Sequence, residues 1–123
     1  MSKVLIVDDD LDNAELLRIA LERVGYRASC AMNGQAALLA VTNDPPDLIM
    51  LDIRMPVMDG ITLLQILRSY LRWHDLPVVV VTAMGQGPDL DKLEQFDVSA
   101  VYHKAQYELT DLVNHVREIV PLN

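Results

Sequence analysis

The chain has 123 residues, of which 51% are hydrophobic and 23% are charged, and these values are typical of one globular domain. The formal net charge of −8 argues against direct binding to nucleic acid or to an anionic membrane, because both require a basic surface. The single cysteine, Cys30, excludes an internal disulfide, and the apolar runs are too short to span a bilayer. We therefore expect a single domain over residues 1–123, without an output domain, in a reducing cytoplasm.

Short apolar runs alternate with amphipathic segments along the chain. In chain order, the sequence predicts a strand over 4–7, a helix over 12–24, a weaker strand over 27–31, an Ala- and Leu-rich helix between Gly34 and Pro45, a strand over 48–51, a helix over 60–70, a strand over 78–81, a short helix over 89–96, a strand over 100–103 and a helix over 107–120. Asp10 and Asp12 stand where N-capping residues are favoured, and Gly25 stands where a left-handed residue commonly ends a helix. The pattern is five strands alternating with five helices.

The runs 4–7, 48–51 and 78–81 are entirely apolar, which is typical of parallel strands covered by helices on both faces. Strands that are joined through helices cross over right-handed and lie parallel. The expected fold is therefore an α/β domain with a doubly wound five-stranded parallel sheet and five helices on its two faces. Such sheets bind ligands in a crevice at the carboxyl ends of their strands.

Charged and polar side chains close four of the predicted strands, at Asp8 and Asp9, Asp52, Thr82 and Lys104. Carboxylates brought together at one edge of a sheet are costly unless a cation joins them. Oxygen ligands without nearby His or Cys favour Mg²⁺, which readily bridges to phosphate oxygens. A carboxylate nucleophile, a metal ion, an ammonium group and a hydroxyl group together suit phosphoryl transfer.

Four segments resemble, in order, the signatures of bacterial response-regulator receiver domains. They are Val-Leu-Ile-Val-Asp-Asp-Asp at 4–10, Leu-Asp-Ile-Arg-Met-Pro-Val-Met-Asp-Gly at 51–60, Val-Thr-Ala at 81–83, and Lys104. The resemblance covers nearly the whole chain, and the segment 51–60 is highly specific by itself. It implies a flavodoxin-like three-layer sandwich with strand order 2-1-3-4-5.

The resemblance also implies a role for each site residue. Asp52 would be the phosphoacceptor, Asp9 and Asp52 would bind Mg²⁺ directly, Asp8 would act through metal-bound water, and the Arg54 backbone carbonyl would complete the protein ligands. Thr82 and Lys104 would contact the phosphoryl oxygens.

The partners are implied in the same way. The donor would be a phosphohistidine on a sensor histidine kinase or a histidine phosphotransfer protein, and the target would be a downstream effector that the sequence does not name. The surface formed by the fourth helix, strand five and the fifth helix would switch on phosphorylation and could also form a homodimer. The chain would catalyse only its own phosphorylation and dephosphorylation, and so would not be an enzyme in the usual sense.

Two other functions fit parts of the sequence. A haloacid-dehalogenase-like phosphatase would use Asp8 as its nucleophile, but the chain leaves no room for a cap domain and the segment 51–60 would be unexplained. A receiver-like binding module that no longer uses phosphate stays open.

Four positions should modify the behaviour of such a domain. Val101 stands where the family usually has an aromatic residue, so we expect a reduced signal relay. Ala105 stands where the family usually has proline, so its peptide bond should be trans. Arg54 and Met84 would flank the path of the hydrolytic water, and because neither is a good hydrogen-bond acceptor, dephosphorylation should be slow.

Overall fold

The computed structural model describes residues 2–55, 57–83 and 91–122. In chain order its elements are β1 (Lys3–Val7), α1 (Leu11–Arg23), β2 (Arg27–Ala31), α2 (Gly34–Asn43), β3 (Leu48–Leu51), α3 (Gly60–Ser69), β4 (Val78–Thr82), a 3₁₀-helix (Leu93–Phe96), β5 (Ala100–His103) and α4 (Leu109–Ile119). Among these described residues, no helix has the length and apolar character needed to cross a membrane.

The five strands form one parallel sheet in the order β2-β1-β3-β4-β5, which confirms the predicted topology. In its register Val7 pairs with Leu51 and Thr82 pairs with His103. The residues that follow β1 and β3 therefore start at the same level of the sheet. This alignment places the carboxylates after these two strands next to each other.

Two apolar clusters, one on each face of the sheet, form the core. Alternate residues of a strand point to opposite faces, so Leu5 and Val7 pack towards α2 and α3, whereas Val4 and Ile6 pack towards α1 and α4. The largest fully buried side chains are Ile6, Leu17, Leu21, Leu48, Ile49, Met50, Leu51, Ile53, Leu63, Leu64, Leu67 and Leu112. Burial on both faces explains why the central strands are apolar throughout.

Side-chain caps fix the starts of the first three α-helices. Asp10 accepts hydrogen bonds from the backbone N–H groups of Asp12 and Asn13, Asn33 accepts one from Ala36, and Asp59 accepts one from Thr62. Asp10 is thus a cap as predicted, whereas Asp12 lies within the first turn of α1. Gly25, with φ of 113°, has the predicted left-handed conformation.

The helix predicted over 89–96 differs from the structure. Residues 89 and 90 lie outside the described residues, Asp91 and Lys92 are helical, and Leu93–Phe96 form a 3₁₀-helix. Asp97 then adopts a left-handed conformation with φ of 53°, which ends the helical segment. The described part of the chain therefore has four α-helices and one 3₁₀-helix around the sheet, where five helices were predicted.

Arg68 ties this segment to the rest of the fold. Its guanidinium donates hydrogen bonds to the backbone oxygens of Phe96 at 2.7 Å, Leu76 at 2.8 Å and Trp73 at 3.1 Å. Hydrogen bonds from a charged donor are stronger than neutral ones. The end of α3, the loop before β4 and the segment before β5 are thereby held together.

Candidate functional site

Asp52 lies directly after β3 and is only 5% exposed. Its backbone N–H continues the strand ladder by donating to the Val7 oxygen at 2.9 Å, so the side chain has a fixed origin at the edge of the sheet. Gly60 packs against its backbone, because a Cβ atom at Gly60 would lie 2.6 Å from the Asp52 carbonyl oxygen. The loop between β3 and α3 therefore closes tightly behind the carboxylate.

The two carboxylate oxygens of Asp52 differ in their contacts. Oδ2 lies 3.3 Å from the Lys104 ammonium, whereas buried Oδ1 accepts no hydrogen bond from the described residues. Burial and the nearby charge of Asp8 raise the pKa of Asp52 from 3.8 to about 6, although the charge and hydrogen bond of Lys104 oppose this rise. A buried oxygen without a donor is costly unless a ligand satisfies it.

Asp8 and Asp9 follow β1 and bring two further carboxylates to the same place. Asp8 is 3% exposed and Asp9 is exposed. One oxygen of each of Asp8, Asp9 and Asp52 can be chosen so that all three lie within 4.8 Å of one another. Three hard oxygen donors and the unsatisfied Oδ1 of Asp52 fit a divalent cation such as Mg²⁺.

Lys104 links the carboxylates of β1 and β3. Its Nζ atom lies 3.0 Å from Asp8 Oδ2, 3.2 Å from Asp8 Oδ1 and 3.3 Å from Asp52 Oδ2. Burial favours the neutral amine, but the hydrogen bonds and charges of the two carboxylates outweigh it and raise the pKa of Lys104 above its ordinary value. The ammonium group therefore stays charged and partly offsets the repulsion between Asp8 and Asp52.

Thr82 is the last residue of β4 and is fully buried. Its backbone oxygen accepts a hydrogen bond of 2.8 Å from the Lys104 N–H, so β4 helps to place the lysine. The sequence thus correctly predicted that Asp8, Asp9, Asp52 and Lys104 meet. Thr82 lies next to Lys104, because their backbones are joined by this hydrogen bond.

Three of the other positions singled out from the sequence, Arg54, Val101 and Ala105, belong to the described residues. Arg54 is exposed in the loop after Asp52, and the ligand role of its carbonyl oxygen stays a prediction. Met84 lies outside the described residues. Val101 is 39% exposed on β5, and the bond between Lys104 and Ala105 is trans, as predicted.

Among the described residues near the site, two have strained backbones that the sequence did not predict. Val57 has φ of 71° and Ala105 has φ of 63°, and both follow site residues in their loops. The left-handed region costs roughly 1 to 2 kcal/mol for residues with a Cβ atom. Neither residue is one of the polar types that commonly adopt this conformation, so no sequence signal marked them.

A further polar residue, Asn13, also contacts the site, and sequence reasoning missed it. Its Nδ2 atom donates a hydrogen bond of 2.7 Å to Asp8 Oδ2 from the first turn of α1. The available signal was its position three residues after the capping residue Asp10. This cap directs the first turn of α1 back towards the end of β1.

The fold and the site define a class of protein: a doubly wound α/β domain with an acidic, lysine-containing crevice at the carboxyl ends of its parallel strands. Residues 4–117 match the family described as the response regulator receiver domain, and the chain belongs to this family. Members of the family act in phosphorelay signalling.

Similar proteins include two curated relatives and a solved structure. The chain is 36% identical over 121 residues to the DNA-binding dual master transcriptional regulator RpaA of Synechocystis, covering 98% of this chain and 49% of RpaA. It is 34% identical over 122 residues to sporulation initiation phosphotransferase F of Bacillus subtilis, covering 98% and 94% of the two chains. The signal receiver domain of a signal transduction histidine kinase from Syntrophus aciditrophicus superposes with a TM-score of 0.89 at 28% identity, covering 98% and 90%. The chain thus spans about half the length of RpaA and nearly all of the B. subtilis protein.

Proposed function

We propose that this chain receives a phosphoryl group on Asp52 and that Mg²⁺ binds at Asp8, Asp9, Asp52 and the Arg54 carbonyl oxygen. The observation that carries the proposal is the buried Oδ1 of Asp52, which accepts no hydrogen bond from the described residues and lies within a cluster of three carboxylates and one lysine. The match to the receiver family supports the same assignment.

Each side chain has a distinct part in the proposed transfer. An oxygen of Asp52 attacks phosphorus as the P–N bond of a phosphohistidine breaks, and the histidine leaves with its electron pair. Bound Mg²⁺ would offset negative charge on the carboxylates and the phosphoryl oxygens. Lys104 and the Thr82 hydroxyl would bind the transferred group, since both are donors at this edge.

Asp52 is a better nucleophile than Asp8 for a geometric reason. Both Asp8 oxygens already accept hydrogen bonds, from the Asp10 N–H at 2.9 Å and from Asn13 at 2.7 Å, and Lys104 contacts them as well. Oδ1 of Asp52 has no such donor among the described residues. This difference argues against the phosphatase alternative, in which Asp8 would be the nucleophile.

The partners belong to the same proposal. A sensor histidine kinase or histidine phosphotransfer protein would supply the phosphoryl group in the cytoplasm, and a downstream effector would read the phosphorylated state. The surface that binds the effector would include β5 and α4, and a homodimer could also form there. The chain would act on no substrate other than itself.

The test uses radiolabelled acetyl phosphate as the donor. We expect Mg²⁺-dependent labelling of the wild type and none of Asp52→Asn. Asp9→Ala should also abolish labelling while its circular dichroism spectrum stays that of the wild type, because Asp9 is exposed and leaves no cavity. Undiminished labelling of Asp9→Ala would contradict the metal assignment, and labelling of Asp52→Asn would contradict the phosphoacceptor assignment.

A further inference from the structure

The Asp8 carboxylate is held by three groups of different chemistry. Oδ1 accepts a hydrogen bond of 2.9 Å from the Asp10 N–H, Oδ2 accepts one of 2.7 Å from Asn13 Nδ2, and the Lys104 ammonium lies 3.0 to 3.2 Å from the two oxygens. Two of these groups are neutral and local in the chain, whereas the lysine comes from the loop after β5.

The position of Asn13 is itself fixed by the start of α1. Its backbone N–H donates to Oδ1 of the capping residue Asp10 at 3.2 Å, and Asn13 is half-buried. Because the cap sets the direction of the first helical turn, the Asn13 side chain points back to Asp8. The amide nitrogen must face the carboxylate, since an ionised carboxylate offers only acceptors.

We propose that Asn13 is a positioning residue for Mg²⁺ binding, because its amide holds the Asp8 carboxylate independently of Lys104. This inference rests on the proposed function, in which Asp8 belongs to the metal site. Asn13 would contact neither the phosphoryl group nor the cation directly. It acts through Asp8.

Lys104 and a divalent cation would compete for the Asp8 carboxylate. In the structure the Lys104 ammonium contacts both oxygens of Asp8, and a divalent ion beside Asp8 would repel it. Once Lys104 is displaced, Asn13 is the one described residue that still donates a hydrogen bond to Oδ2 of Asp8. Without that bond, Oδ2 would depend on the lysine, so the Asp8–Lys104 pair would compete more strongly with the metal ion.

Orientation adds to this effect. Mg²⁺ requires nearly ideal octahedral geometry, and residues that orient metal ligands typically contribute ten- to a hundredfold to affinity. Asp8 is held at Oδ1 by the Asp10 N–H and at Oδ2 by Asn13, so the two bonds together fix the plane of the carboxylate. Removing one of them allows the carboxylate to turn.

The experiment compares Mg²⁺ binding to the full chain and its variants by titration calorimetry. Asn13→Leu removes the donor at nearly constant size, and Asn13→Ala removes it without added bulk. The matched control is Asn114→Leu, at an exposed position on α4. We expect both Asn13 variants to bind Mg²⁺ about tenfold more weakly than the wild type, and the control to bind it equally well.

A second readout separates positioning from general damage. Labelling by acetyl phosphate should need about tenfold more Mg²⁺ for half-maximal rate in the Asn13 variants, whereas the rate at saturating Mg²⁺ should stay close to that of the wild type. Wild-type Mg²⁺ affinity in either Asn13 variant would overturn the inference. A wild type that binds no Mg²⁺ would instead overturn the proposed metal site itself, so the two failures are distinguishable.

Discussion

Replacing Asp52 by Asn should change the stability of the protein in a pH-dependent way. In the folded chain, burial and the charge of Asp8 raise the pKa of Asp52 from 3.8 to about 6. Between these values the folded protein keeps a proton that the unfolded chain has lost. The favourable contribution of this group is therefore complete below about pH 4 and is lost as the pH rises through about 6.

The magnitude follows from the size of the rise in pKa. A rise in pKa from 3.8 in the unfolded chain to about 6 in the folded protein corresponds to about 3 kcal/mol in the free energy of unfolding. Asn has nearly the same shape, does not titrate, and can still accept a hydrogen bond from Lys104 through its carbonyl oxygen. Relative to the wild type, Asp52→Asn should therefore gain about 3 kcal/mol of stability between about pH 4 and about pH 8.

The assay is urea unfolding at a series of pH values without divalent metal. Asp12→Asn serves as a matched control, because it makes the same substitution at an exposed position outside the carboxylate cluster. If the difference between wild type and Asp52→Asn is the same at every pH, Asp52 does not titrate with a raised pKa and the electrostatic account of the site is wrong.

Four further predictions concern the loops and surfaces around the site. Gly60→Ala should lower the free energy of unfolding by roughly 2 kcal/mol, because its Cβ would lie 2.6 Å from the backbone oxygen of the proposed phosphoacceptor; unchanged urea unfolding would contradict this. At Ala105, whose φ is 63°, Gly should stabilise by up to about 1 kcal/mol and Pro should destabilise because its φ is fixed near −65°; thermal melts showing the reverse order would refute it. Arg54→Asn with Met84→Glu should speed decay of the labelled protein by supplying acceptors for the hydrolytic water, and an unchanged decay would mean that these residues do not set the lifetime. Because Val101 has no aromatic ring, NMR shifts on adding beryllofluoride should stay mostly near the site, and large shifts throughout β5 and α4 would contradict this.

The fold was predictable because its strongest signals are local. The all-apolar runs at 48–51 and 78–81 coincide with strands that are buried on both faces. Short runs of this composition are typical of parallel strands that are covered by helices on both sides. The meeting of Asp8, Asp52 and Lys104 was also predictable, since the carboxyl ends of parallel strands share one edge.

The features that escaped prediction depend on side-chain and loop geometry. The bond from Asn13 to Asp8 requires the exact direction of the first turn of α1, which sequence periodicity does not resolve. The 3₁₀-helix at Leu93–Phe96 differs from an α-helix by a tighter hydrogen-bond pattern that has little sequence signature.

The surface of β5 gives a further example. The Tyr102 hydroxyl and His115 Nδ1 share a 2.6 Å hydrogen bond. The Tyr102 ring also packs edge-on against the Tyr107 ring, with the two centroids 5.6 Å apart. These rings lie on the face of the sheet that carries α4, whereas the aromatic residue usual in the family would stand at Val101. The sequence showed that Val101 has no aromatic ring, but it did not predict the contacts that the neighbouring Tyr102 makes.

The most direct test of the central claim is to locate the phosphoryl group chemically. After reaction with acetyl phosphate and Mg²⁺, borohydride reduces an aspartyl phosphate to homoserine, and peptide mass spectrometry then identifies the modified position. We predict homoserine at position 52 alone, and only in borohydride-treated samples that had received both acetyl phosphate and Mg²⁺. Homoserine at position 8 or 9, or an unmodified Asp52, would contradict the account.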